Sequence, residues 1–136
     1  MNRLRYMDET ASALENHIVK EVSQYDREGQ RTSQGISIRM DGGITHRIFH
    51  SHSCCEVVKV GLPENIQNLH NRKISGIFIN EMENELEHFN YEPLADVKII
   101  DSHGEKYTIK FAGKSTGCLY VPHIRVEKEW VVCVFN

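Results

Sequence analysis

Two runs of strict alternation, around Val97-Lys98-Ile99 and over Tyr107-Thr108-Ile109-Lys110-Phe111, constrain this chain more than any other feature. Apolar residues two apart fall on one side of an extended strand, so each run makes a strand with one dry and one wet face. Between them lies Asp101-Ser102-His103-Gly104, which is turn chemistry, and the two strands are predicted to pair as a hairpin. The same logic gives a second hairpin. Ile36, Ile38 and Met40 alternate with Ser37 and Arg39, Asp41-Gly42-Gly43 turns the chain, and Ile44 to Phe49 resumes strand composition. Cys118 to Val121 adds a strand, and Glu129 to Phe135 is apolar at consecutive positions, which predicts a central strand covered on both sides.

Two stretches carry the other period. Met7, Ala11, Leu14, Ile18, Val22 and Tyr25 recur at spacings of three and four, which predicts a helix over 8–28, ended by Gly29. Ile74, Ile77, Phe78, Met82, Leu86 and Phe89 predict a second over 71–88, and Leu62-Pro63-Glu64 starts a short one before it. The expected fold is a single α+β domain over 1–136. It has a mainly antiparallel sheet of six to seven strands, a long N-terminal helix within 1–30 and a central helix. The first helix is long for so small a domain, so it is expected to reach a second subunit in a homo-oligomer.

Composition excludes some functions. A formal charge of −3 supplies no global field for gathering DNA or RNA, so sequence-independent nucleic-acid binding is not expected. No apolar run is long enough to cross a bilayer, and MNRLRYMDETASALEN lacks the apolar core of a signal peptide, so the expected compartment is the cytoplasm. Cys54, Cys55, Cys118 and Cys133 are then expected as reduced thiols.

Three constellations carry chemistry. Gly113-Lys114-Ser115-Thr116-Gly117 joins two glycines, a charge and two hydroxyls, a composition suited to cradling an anion. It is not a nucleotide-hydrolysing P-loop, because Thr108 occupies the position of that motif's first glycine. Arg47, His123 and Arg125 are further donors for the same ligand. The second constellation is His50-Ser51-His52-Ser53-Cys54: in a strand, His50, His52 and Cys54 share a face, giving part of a zinc shell or a thiol beside imidazoles. A fourth zinc ligand would have to come from Cys118, His123 or Cys133. The third is the acidic side of the central helix over 71–89, with Glu81, Glu83, Glu85 and Glu87, which suits a protein partner.

No carboxylate pair, triad order, dinucleotide fingerprint or complete metal shell is legible, so the leading expectation is not an enzyme. It is a small cytosolic binder that captures or sequesters an anionic, nucleotide-like small molecule without a cofactor, in the manner of compact bacterial or phage accessory proteins and inhibitors. The alternatives are a zinc- or cysteine-dependent hydrolase at His50, His52 and Cys54, and a protein-interaction module using the acidic helix.

Overall fold

The computed structural model describes residues 14–26, 34–51, 56–82, 90–115 and 129–135. They form eight strands: β1 (Val19–Asp26), β2 (Gln34–Met40), β3 (Thr45–Ser51), β4 (Glu56–Gly61), β5 (Ile74–Glu81), β6 (Glu92–Asp101), β7 (Lys106–Ser115) and β8 (Glu129–Phe135). All pairings are antiparallel, in two sheets of order β1-β2-β3-β8 and β4-β7-β6-β5. Alternation decides what lies between the sheets. Ile36, Ile38 and Met40 from β2, Ile48 from β3, Val97 and Ile99 from β6, and Tyr107, Ile109 and Phe111 from β7 join one buried cluster. Fully burying an aliphatic or aromatic side chain contributes about 1.5–3 kcal/mol, so this single cluster is what holds the two sheets together.

The sheets are stitched where β1 begins and where it ends. At its start, Asn16 N–H donates to Ile74 O (2.9 Å), Val19 N–H to Arg72 O (2.9 Å) and Asn71 N–H to Val19 O (2.7 Å). Asn16 and Asn71 both take positive φ there, a conformation asparagine tolerates better than most residues. Toward its end, Gln24 Nε2 donates to Val60 O (2.9 Å) and Val60 N–H donates to Gln34 Oε1 (3.0 Å). Two side-chain amides thereby satisfy backbone groups on β4, an edge strand that would otherwise offer them to another chain.

The antiparallel sheet is present, but the α+β expectation is corrected: the described chain is nearly all β. Apart from Leu14, which is α-helical, its helical pieces are the short 3-10 turns Asp41–Gly43 and Ile66–Leu69. Of the N-terminal helix predicted over 8–28, residues 8–13, 27 and 28 lie outside the described residues. Val19–Asp26 is β1, paired with β2 from Val19↔Met40 to Asp26↔Gln34. Helix propensity differences are only tenths of a kcal/mol per residue, and a neighbouring strand with β-branched partners overrides them. The oligomer expectation loses its motive with that helix.

The central helix over 71–88 is corrected for a more instructive reason. Ile74–Glu81 is β5, and its register against β6 shifts between Ile74 and Gly76. The irregularity adds a residue, so Ile74 and Ile77 are both buried although three apart, and a strand imitates helical spacing. Of the acidic side, Glu81 ends β5, and residues 83–89, with Glu83, Glu85 and Glu87, lie outside the described residues. Among the described residues β8 pairs with β3, and the strand predicted over Cys118 to Val121 lies outside them.

Candidate anion-binding face

The outward side of β4-β7-β6-β5 is where unpaired positive charge collects. Val58 and Val60 turn inward on β4, leaving Lys59 outside; Tyr107, Ile109 and Phe111 turn inward on β7, leaving Lys106 and Lys110 outside, with Lys114 in the same phase. On β6, Val97 and Ile99 are buried and Lys98 is exposed. Register brings the strands together: Lys59 faces Ala112, Thr108 faces Lys98, and Lys98 faces Phe78 of β5. Asp96 stands opposite Lys110, yet among the described residues none of these five lysines has a carboxylate partner.

Two aromatics complete the face. The Lys114 ammonium lies 4.9 Å and the Lys59 ammonium 5.3 Å from the centroid of the Tyr91 ring, within the range of cation–π attraction. Tyr91 itself remains 39% exposed. Phe78 is 55% exposed, and a Cβ added to Gly76 would stand 3.0 Å from its Cε2. The ring therefore rests against bare glycine backbone, two residues away on the same side of β5.

A buried polar network fixes the hairpin that carries the lysines. Asp101, 1% exposed, accepts from Arg72 Nη1 (2.9 Å), the Tyr107 hydroxyl (2.6 Å), and the N–H groups of His103 (2.8 Å) and Glu105 (3.0 Å). Burial alone would raise its pKa, but those donors outweigh burial and hold it at about 2. The Tyr107 hydroxyl is pushed well above its usual value by burial and by donating to Asp101. Arg72 also reaches Glu105 Oε1 (3.0 Å), while Asn65 and Asn68 each donate to Glu105 Oε2 at 3.0 Å. Amide donation from Asn68 leads the lowering of the Glu105 pKa. Every group here has its partner within the network, so it is a structural clamp between the turn before β5 and the β6–β7 hairpin.

Those residues singled out from the sequence that are described fall on both sheets. Gly113, Lys114 and Ser115 are not loop residues: they end β7, opposite Val58, Val57 and Glu56. Thr116, His123 and Arg125 lie outside the described residues. Arg47 is on β3 in the other sheet, with its guanidinium over the Tyr25 ring at 4.8 Å. His50 is paired through β3 with Trp130 of β8, whereas His52 and Cys54 lie outside the described residues. Among the described residues no group of three histidines, cysteines or carboxylates is arranged to hold a metal. Lys59, Lys98 and Lys106 were not legible as a site because each looks like the ordinary wet position of its strand. Only strand order shows that they share one face.

No protein-family model, no curated protein and no solved structure matches this chain.

Proposed function

We propose that this protein is a non-catalytic, cytosolic binder of an anionic, nucleotide-like ligand, seated on the outward face of β4-β7-β6-β5. The observation that carries the reading is the pair of ammonium groups, Lys59 and Lys114, gathered over one exposed tyrosine. Two like charges drawn to the same ring repel each other, and an anion between them turns that repulsion into two attractions. Phosphate oxygens would accept charge-assisted hydrogen bonds from both, with Lys110 two rows away on the same side of β7. Among the described residues no helix is long and apolar enough to cross a membrane.

Calorimetric titration with inorganic tripolyphosphate at low salt tests this. Lys59→Ala and Lys114→Ala should each weaken binding by about tenfold or more, since a hydrogen bond to a charged group contributes about 1.5–3 kcal/mol. Binding unchanged in both variants would move the site elsewhere.

A further inference from the structure

We propose that the lysine face takes single-stranded nucleic acid. This rests on the anion-binding reading above and names its occupant. The first argument is span. Lys106 and Lys114 lie on one strand eight residues apart, about 26 Å at the ~3.3 Å rise of an extended chain. Lys59 and Lys98 flank that line on the two neighbouring strands. A mononucleotide cannot touch both ends of such a row, whereas a polyanion running along β7 meets each lysine in turn. Counterion release then rewards every contact.

The second argument is that the row is bordered by exposed ring surface. Tyr91 stands at the Lys114 end, and Phe78 lies beside Lys98 toward the other end, on the far side of β6. Bases stack on such rings regardless of sequence, because every base has a π-face. Phe78 keeps more than half of its surface open for stacking, and a duplex, whose base faces are already covered, would leave it unused. The net charge of −3 is an average over the whole chain, whereas binding senses local charge within a Debye length of about 8–10 Å.

Fluorescence anisotropy with a labelled oligothymidylate of about 16 nucleotides, a length within the site sizes of comparable single-strand binders, provides the test. The expected logarithmic salt slope for wild type is about −3.5, from roughly 0.7 for each of the five lysine contacts in single strands, and Lys110→Ala should reduce its magnitude by about 0.7. Phe78→Ala and the bulk-preserving Phe78→Leu should both weaken binding, on the order of tenfold for alanine, with the slope unchanged. Inorganic polyphosphate and a duplex of equal length are the comparison ligands. If polyphosphate binds as tightly per phosphate and both Phe78 variants bind like wild type, the anion-binding face stands and the nucleic-acid assignment falls. Equal affinity for the duplex overturns it as well. If neither oligothymidylate nor polyphosphate binds at low salt, both readings fall.

Discussion

The outward sides of the two sheets have similar raw materials and use them differently. On β1-β2-β3, Arg39 stands opposite Glu21 with an Nη2 to Oε2 distance of 3.9 Å, and Arg47 covers Tyr25. Tyr25 in turn lies against Gly35, where an added Cβ would come within 2.7 Å of its ring. Cation, ring and glycine form a closed stack there. On β4-β7-β6-β5 a lysine pair also meets a tyrosine, and a phenylalanine also rests on a glycine, but the rings stay open and the lysines keep no carboxylate partner among the described residues. The lesson is that charge count alone does not mark a site. A face whose cations are already engaged is surface; one whose cations converge without acceptors has capacity left for a ligand.

The comparison is most severely tested by loosening the open face from beneath. Arg72→Met leaves Asp101 buried without its guanidinium, and of the substitutions considered this one should lower stability most. Denaturant unfolding monitors this. A loss near zero would mean that the clamp does not hold the β6–β7 hairpin. Next in size, Gly35→Ala should cost about 1–3 kcal/mol by forcing Tyr25 off its seat, whereas Gly76→Ala, whose nearest atoms belong to a half-exposed phenylalanine at 3.0 and 3.3 Å, should cost less. Equal losses would contradict the contrast between a closed and an open stack.

Acid should separate two buried groups. Asp101 is held at about 2 against an ordinary value of 3.8, so it contributes roughly 2 kcal/mol of stability above pH 4, lost as pH falls through 2. His46, 4% exposed with an Nδ1 that has no hydrogen-bond partner among the described residues, has a lowered pKa, chiefly from burial and then from nearby His17. The unfolded chain therefore takes up its proton first, and stability should begin to fall as pH drops below about 6.5. His46→Phe should flatten that earlier decline and leave the Asp101 step intact. Smallest of all, Lys110→Ala should change stability by less than about 0.5 kcal/mol while weakening anion binding.

How far the sequence reaches is clear from particular stretches. Both hairpins were legible because period-two alternation and turn residues agree: Asp41-Gly42-Gly43 supplies two positive φ values, and the Asp101 side chain closes its own turn on His103 and Glu105. The helices failed where spacing was ambiguous. Ile74 and Ile77 look helical until the irregularity between them is known, and of the helical stripe Ile18, Val22 and Tyr25, the last two are drawn into pairing with β2 while Ile18 bridges to Lys73. The lysine face was not legible for another reason. Lys114 was identified, but in a glycine loop, and its companions come from β4 and β6, which are distant in sequence. Sheet order is a long-range property, and alternation within one strand does not encode it.

The central claim, that one face of this molecule is open to anions and the other is closed, is tested most directly by following backbone amide resonances during titration with inorganic tripolyphosphate. The account predicts shifts concentrated at Lys59, Tyr91, Lys110 and Lys114, with Glu21, Ser37, Arg39 and Arg47 unmoved. Shifts centred on Arg39 and Arg47, or spread evenly over both sheets, would contradict it.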